Sequence, residues 1–363
     1  MSGSSLDGLD IAYVHFNENG GKWSFEIVNS ECIAYNTHWR SRLANSTRLS
    51  SIEYQLLHSD YGHYLAECVI QFIVKNYLQH QVDIISSHGH TTFHLPAKRM
   101  TAQLGDGAAL AGVTQLPVVT DLRGIDVAFG GQGAPIVPVG EKLLFPGIDY
   151  FLNLGGIANL SSLKNNDPLA YDICAANRVL NLLVEEIQME FDKDGRLAST
   201  GKINDDLLNL LNDLPYYDLP HPKSLPNSFG TDEVYPLVKK FDLSPADALR
   251  TYVEHIVIQV TNALIKTRAY EGSFEKDITL SPQLLITGGG ALNSFLMMRL
   301  KDHLRTTGIE MIVPSPEIIN YKEALIIALI GTLRWREEYN VIASVTGARR
   351  NSIGGALWLG TEA

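Results

Sequence analysis

Three glycine-bearing turns, each joined to a short apolar run, constrain this 363-residue chain more than any other feature. The first is Met1-Ser-Gly-Ser-Ser-Leu-Asp-Gly-Leu-Asp10, which runs straight into the strand-like residues 11–16. Ser2, Gly3, Ser4 and Ser5 offer hydroxyls and unobstructed backbone N–H groups, and Asp7, Gly8 and Asp10 follow at the rim. Such a turn suits a phosphate chain and its magnesium ion. In the second, Tyr150-Phe-Leu-Asn153-Leu runs into Gly155-Gly156, with another apolar strand and Asn159 beyond. In the third, Leu284-Leu-Ile-Thr287 leads to Gly288-Gly289-Gly290, Asn293 and an amphipathic helix over 294–304. Consecutive glycines let backbone approach a flat or charged ligand without Cβ interference, and a helix start favours an anion. For any single turn, a plain connection between elements is the competing reading; three in order are harder to dismiss.

Between these turns the chain alternates strand and helix patterns. Strands are expected over 11–16, 23–30 and 31–35, and a long helix over 52–77 with Leu56, Leu57, Leu65, Val69, Phe72 and Ile73 near one face. Short buried strands over 82–86 and 116–120 deliver His88 and Asp121 at their carboxyl ends, where open α/β sheets bind ligands. Ser244-Pro245-Ala-Asp247 is a helix start predicted to run to Lys266. Residues 212–232 read as a loop.

Composition excludes several classes. A 45% hydrophobic content fits a globular chain of about two domains, and a net charge of −11 without a basic stripe argues against a nucleic-acid partner. Cys32, Cys68 and Cys174 lack metal-type spacing and read as core or incidental thiols of a cytoplasmic protein. No apolar run reaches bilayer length, so no membrane partner is expected.

Together the motifs resemble the anhydro-N-acetylmuramic acid kinase family, within the superfamily of actin, the sugar kinases and the heat-shock ATPase. The family's Met-Ser-Gly-Thr-Ser-x-Asp-Gly-x-Asp stands here as Met1 to Asp10, with Ser4 for threonine. Its His-Gly-Gln-Thr is similar to His88-Gly89-His90-Thr91, and its Gly-Asp-Asn to Gly105-Asp106-Gly107. Asp121-Leu-Arg123-Gly-Ile-Asp126 and Gly131-Gln132-Gly133-Ala134-Pro135 match two further motifs, as do Lys322-Glu323-Ala324-Leu325 and Ser344-Val-Thr346-Gly347-Ala348. The resemblance covers nearly the whole chain.

The resemblance implies an α/β protein of two ribonuclease-H-like domains, the actin-like ATPase and sugar kinase fold, around a central cleft. Residues 1–130 plus 344–363 would form the first domain, lacking its first strand, and 131–343 the second. It implies ATP held by Ser2, Gly3, Ser4, Ser5, Asp7, Gly8, Asp10, Asn153, Gly155, Gly156, Asn159, Gly288, Gly289, Gly290 and Asn293, with Asp7 and Asp10 on Mg2+. The family's Asp-Thr-Gly-Pro-Gly-Asn matches Asp172 to Asn177, making Asp172 the base that activates water. His88, Thr91, Asp106, Arg123, Gln132, Asn177 and Glu323 would contact the sugar. Plainer roles compete: a cap or hydrogen-bonded role for Asp172, turn formation for Asp106 and Asp121, a surface ion pair for Arg123, a helix-dipole role for Glu323 and a structural role for His90.

The chain departs from the family pattern in four places. The apolar strand that precedes the first loop in the family is absent ahead of Met1. Gly124 and Ile125 replace two arginines, Ile173 to Ala176 replace a flexible turn, and Leu225 to Ser228 replace a substrate-loop motif. The implied activity is a cytoplasmic, ATP-dependent kinase that opens 1,6-anhydro-N-acetylmuramic acid and phosphorylates its O6 in cell-wall recycling. A kinase of a different, uncharged anhydro-sugar and a nucleotide-dependent binding or regulatory protein without transfer activity are the alternatives. A small sugar is the expected partner, and a homodimer is compatible with this reading.

Overall fold

The computed structural model describes residues 1–3, 5–164, 168–220, 223–226, 228–272 and 281–360. Ser4 therefore lies outside the described residues, as do parts of the 212–232 segment. In chain order the strands are β1 (Gly8–Asn19), β2 (Lys22–Ala34), β3 (Ile85–Ser86), β4 (His90–Leu95), β5 (Met100–Leu104), β6 (Val118–Thr120), β7 (Tyr150–Leu154), β8 (Ile157–Ser162), β9 (Leu169–Ala175), β10 (Gln283–Thr287), β11 (Glu310–Ile312) and β12 (Ala356–Trp358). The chain is mixed α/β and forms two compact units, Met1–Pro146 with Tyr321–Ala363, and Gly147–Asn320. The sequence reading set these limits near 130 and 344; the contacts assign 131–146 and 321–343 to the first unit. Part of that assignment rests on Lys322, whose buried ammonium lies 2.8 Å from the Glu141 carboxylate.

In the first unit, β1 and β2 form one long antiparallel hairpin. Its two-residue turn is Gly20-Gly21, with φ of +59° and +81°. Left-handed geometry at both positions matches the strand twist, which is why glycine stands there. The expected separate strands over 23–30 and 31–35 are thus one. Helix Ser51–Lys75 starts on a reciprocal cap, the Ser50 side chain bonding the Glu53 N–H and the Glu53 carboxylate returning to Ser50. Its buried stripe is Leu57, Tyr61, Leu65, Cys68 and Phe72. Leu56, expected on that face, is 58% exposed, because a stripe through Leu57 and Tyr61 turns it outward. β3 pairs parallel with β6, and β12 antiparallel with β6. Ahead of the first loop, Met1 and Asp10 exchange backbone hydrogen bonds, and Ser2 bridges Leu9 antiparallel and His90 parallel.

The second unit is built on one five-stranded sheet of order β11-β10-β7-β8-β9. β10 runs parallel to β7 and β11, while β7, β8 and β9 form an antiparallel meander. Helix Pro245–Tyr270 covers it, capped by Ser244 with proline in its first turn. It passes the expected end at Lys266 because its inner face, Tyr252, Ile256, Val260 and Leu264, stays buried through Thr267. The 212–232 segment is more structured than a loop, with short helical turns at Pro215–Asp218 and Phe229–Val234. Among the described residues, no helix is long and apolar enough to cross a membrane.

Candidate active site

The candidate residues divide between the two units. In the second, strand register aligns four polar residues: Thr287 faces Asn153, Asn153 faces Asn159, and Asn159 faces Asp172. Directly paired residues project to the same face of a sheet, so a polar row crosses β10, β7, β8 and β9. The turns at its edge are tied together. Ala176 and Asn177 donate backbone N–H groups to the carbonyls of Gly156 and Gly155 at 2.8 and 3.1 Å. The Asn177 amide donates to the Leu154 carbonyl at 2.8 Å.

The glycines separate into two kinds. Gly288 has φ of +82° and its Cβ would lie 2.5 Å from Asn153 Oδ1, while a Cβ on Gly290 would lie 2.7 Å from that of Leu154. Protein packing alone demands glycine at both. Around Gly155, Gly156 and Gly289, by contrast, a Cβ would meet nothing closer than 3.5, 3.6 and 3.6 Å respectively. A Cβ would be tolerated at ordinary contact distance, so packing does not demand glycine at these three, and their bare backbone suits the approach of a nucleotide phosphate chain. Asn293 has a structural duty: its side chain caps the Leu296 N–H of helix Ser294–Leu304.

Asp172 is half-buried. Its Oδ2 accepts the Leu225 N–H at 2.9 Å, its backbone carbonyl accepts the Tyr216 hydroxyl at 2.7 Å, and its N–H donates to the Lys223 carbonyl. Burial pushes its carboxyl above the ordinary carboxylate range, partly offset by the Leu225 N–H. A raised carboxyl in a fixed orientation suits a general base.

Sequence reasoning missed two groups here. Lys223 Nζ donates to the Tyr216 carbonyl at 2.9 Å and lies 4.4 Å from that ring's centroid, bracing the segment that grips Asp172. Arg178 stands in the first turn of helix Asn177–Glu185, beside Gly156, with its Nε buried and without a hydrogen-bond partner. A cation at a helix N-terminus opposes the helix dipole, and that was the legible signal of an anion partner.

In the first unit, His88 is buried, and its Nε2 accepts a hydrogen bond from Arg123 Nε at 2.9 Å. Its Nδ1 therefore carries the proton, 3.1 Å from the Gly89 carbonyl. Burial, then the adjacent guanidinium, push its pKa down to about 3, so His88 is a neutral acceptor near neutrality. Arg123 also donates to the Gly133 carbonyl. It forms no surface ion pair with Asp121 or Asp126: Asp126 instead accepts the Gly133 N–H and the Thr346 hydroxyl, holding the Gly131 to Pro135 turn. Burial lowers Arg123 to about 10, with Glu323 and Asp126 opposing that fall. Exposed Gln132 rides the same turn, its N–H bonded to the Thr346 carbonyl.

Several first-unit residues have structural duties. The Ser2 hydroxyl lies 3.1 Å from His90 Nδ1 and accepts from the Tyr35 hydroxyl, so it faces the interior. That contact gives His90 the structural role expected of it. Asp7 Oδ1 accepts from the Ser5 hydroxyl and the Gly8 N–H, shaping its own turn. Gly8 is glycine because a Cβ would sit 2.6 Å from Cys32 Sγ. Asp106 caps helix Gly107–Thr114, and the Asp121 carboxylate accepts the Gly124 N–H. Thr91 is half-buried on β4, with its hydroxyl accepting from Gln103.

Two carboxylates remain: Asp10, which shares a hydrogen bond with the Cys32 thiol, and Glu323. Burial raises Asp10. Glu323 keeps solvent access along its helix. No group of three or more His, Cys, Asp or Glu able to hold a metal occurs among the described residues. Magnesium does not need one, since one or two carboxylates plus phosphate oxygens and water suffice.

Comparisons with known proteins place this constellation. The family model for anhydro-N-acetylmuramic acid kinase matches residues 1–360. The anhydro-N-acetylmuramic acid kinase of Vibrio parahaemolyticus is 32% identical over 99% of this chain and 96% of its own length. That of Xylella fastidiosa is 33% identical over 98% and 94%, and that of Streptomyces coelicolor 32% over 100% and 93%. From the motifs, the register row and these matches, the chain belongs to the anhydro-N-acetylmuramic acid kinase family.

Proposed function

We propose that this chain is an ATP-dependent sugar kinase that opens 1,6-anhydro-N-acetylmuramic acid with water and phosphorylates the released O6, in cytoplasmic recycling of cell-wall sugar. The observation that carries this reading is Asp172, half-buried with a raised carboxyl, in one register row with Asn159 and Asn153 beside glycines that packing does not require. Asp172 takes a proton from water as its oxygen bonds to the anomeric carbon, and the C1–O6 bond breaks with its electrons on O6. O6 would bond to the γ-phosphorus of ATP as the bond from that phosphorus to the β–γ bridging oxygen breaks and ADP leaves, with Mg2+ balancing the charge.

The Gly155, Gly156 and Gly289 backbone and Arg178 would hold phosphates; Asn153, Asn159 and Asn177 would orient the turn; in the first unit, Gly3, Ser5 and Asp10 are the proposed phosphate and metal contacts. His88, Arg123, Thr91, Gln132 and Glu323 are the proposed sugar contacts. We read both units as ribonuclease-H-like, supported in the second by the antiparallel meander continued by two parallel strands. Incubation of the purified chain with ATP-Mg and 1,6-anhydro-N-acetylmuramic acid, followed by mass spectrometry, tests the reading. A ring-opened 6-phosphate is expected. No product with this sugar, but product with an uncharged anhydrohexose, would replace the substrate; no product with either would overturn the kinase.

A further inference from the structure

In the second unit, the strand that carries Asp172 and the segment that grips Asp172 are both anchored on one helix, Pro245–Tyr270. Strand β9 is pinned on either side of Asp172. The Tyr171 hydroxyl donates to the Ala263 carbonyl at 3.2 Å and lies 2.9 Å from the Thr267 hydroxyl. The Tyr252 hydroxyl donates to the Ala175 carbonyl at 2.8 Å. The gripping segment is pinned at Tyr217. Its hydroxyl lies 3.0 Å from His255 Nε2, and its carbonyl accepts from the Lys266 ammonium at 3.1 Å.

His255 is fully buried, and its neighbours set its polarity. Its Nδ1 lies 2.7 Å from Asn212 Oδ1, which also accepts from Gln259 Nε2 at 2.9 Å. An amide oxygen only accepts, so Nδ1 carries the proton and Nε2 is left to accept from the Tyr217 hydroxyl. Burial pushes the His255 pKa down to about 3, which keeps this neutral, accepting form at neutral pH. Slipping the buried pair would leave both groups unpaired, so the network favours a single arrangement. That arrangement is passed on to Asp172. Lys223 donates to the carbonyls of Tyr216 and Tyr217 at 2.9 and 3.4 Å, the Tyr216 hydroxyl holds the Asp172 carbonyl, and the Leu225 N–H holds Asp172 Oδ2.

We propose that His255, acting through Tyr217, is a positioning residue for Asp172: it fixes Tyr216, Lys223 and Leu225 in the arrangement that puts the Leu225 N–H on the carboxylate. This rests on the reading of Asp172 as the base that activates water. The N–H aims the carboxyl and tempers the rise that burial imposes on it. A misplacement of about 1 Å at a reacting group can cost about 10²-fold in rate, so the network reaches the chemistry without touching it.

The test uses three variants of the full chain. Tyr217→Phe deletes only the hydroxyl, His255→Leu removes the acceptor, and the His255→Gln amide can still accept from Tyr217 and donate to Asn212. The first two should lower kcat for 1,6-anhydro-N-acetylmuramic acid about tenfold or more, with KM for ATP changed less than about threefold. His255→Gln should keep kcat within about threefold of native. Two readouts need no turnover. In Tyr217→Phe, hydrogen exchange at the Leu225 amide should quicken about tenfold or more. In the same variant the Asp172 carboxyl, followed by carbon-13 NMR titration, should titrate at least about half a pH unit higher, because an N–H that favours its charged form is loosened. Should His255→Leu fail to fold, Tyr217→Phe decides. Unchanged exchange and unchanged titration in Tyr217→Phe would overturn the proposal, as would a kcat loss in His255→Gln equal to that in His255→Leu. A native chain that forms no product would overturn the kinase reading instead, and exchange and titration would still decide whether His255 holds the grip on Asp172.

Discussion

Replacing Asp172 with asparagine separates chemistry from folding. The two side chains have nearly the same volume, and the amide oxygen can still accept the Leu225 N–H that Asp172 Oδ2 accepts at 2.9 Å. The backbone bonds from Tyr216 and to Lys223 do not involve the carboxyl at all. The fold should therefore survive, while the proton acceptor is lost. General-base catalysis contributes about 10²–10⁴-fold, so turnover of 1,6-anhydro-N-acetylmuramic acid should fall by that factor, with nucleotide affinity changed less than about threefold. The stability effect has a defined sign. Burial raises the folded pKa of Asp172, so the folded state binds the proton more tightly than the unfolded chain. Its ionisation therefore lowers stability as pH rises through the unfolded and then the folded value. Asp172→Asn removes that loss, and its Tm relative to the native chain should be equal near pH 4 and equal or higher at pH 8. The assays are coupled turnover, nucleotide titration and thermal melts at both pH values. Turnover within about threefold of native would remove Asp172 as the base, and a Tm that falls at pH 8 would refute the burial argument.

Three further outcomes follow from the geometry. Gly289→Ala should leave Tm nearly unchanged yet weaken ATP binding about tenfold or more, whereas Gly290→Ala, facing Leu154 Cβ at 2.7 Å, should cost about 1–3 kcal/mol of stability; a calorimetric melt and an ATP titration of each variant check this. Arg178→Ala removes a charged partner worth about 1.5–3 kcal/mol, so KM for ATP should rise about 10–100-fold with Tm little changed; an unaltered KM would detach Arg178 from the phosphates. His88 and His255 are each pushed down to about 3, chiefly by burial, so the unfolded chain binds more protons below its own histidine pKa. Stability should fall from about pH 6.5 downward by up to about 1.4 kcal/mol per pH unit for each, and chemical denaturation of His255→Gln should show a shallower acid slope.

Local rules made the elements legible. The Gly20-Gly21 turn, the Ser50 and Ser244 caps and the period of Leu57, Tyr61 and Leu65 are written within a few residues of where they act. What escaped the sequence depends on distant partners. The face of helix Ser51–Lys75 was misjudged at Leu56 because both faces offer leucines, and only packing around Tyr61 chooses between them. Residues 321–335 join the first unit through a buried ion pair with a residue far away in sequence, Glu141, and no local pattern announces such a pairing. The length of β2 depends on cross-strand pairing with β1, which carries it through Glu31 and Cys32.

The site was legible to a different degree, because spacing shows where small residues cluster but not why each is small. Gly8, Gly155, Gly288 and Gly289 look alike in sequence, yet of these only Gly155 and Gly289 would admit a Cβ at ordinary contact distance. Gly8 and Gly288 are held by Cys32 and Asn153, so their identity reports packing and carries no information about a ligand. The polar residues divide by the same criterion. Asp7, Asp106 and Asp121 satisfy nearby N–H groups, and the Ser2 hydroxyl points inward to His90 and Tyr35. Asp172 and Arg178 keep capacity that the protein leaves unused: a carboxyl held above its ordinary range and a buried guanidinium nitrogen without a partner. Unused capacity of that kind is costly to a folded chain unless something else completes it, and under the proposed function a phosphorylated nucleotide and a reacting water would complete both. The strongest case for the kinase reading therefore rests on the positions where the protein alone is unfinished, and the glycine and arginine variants above measure that directly.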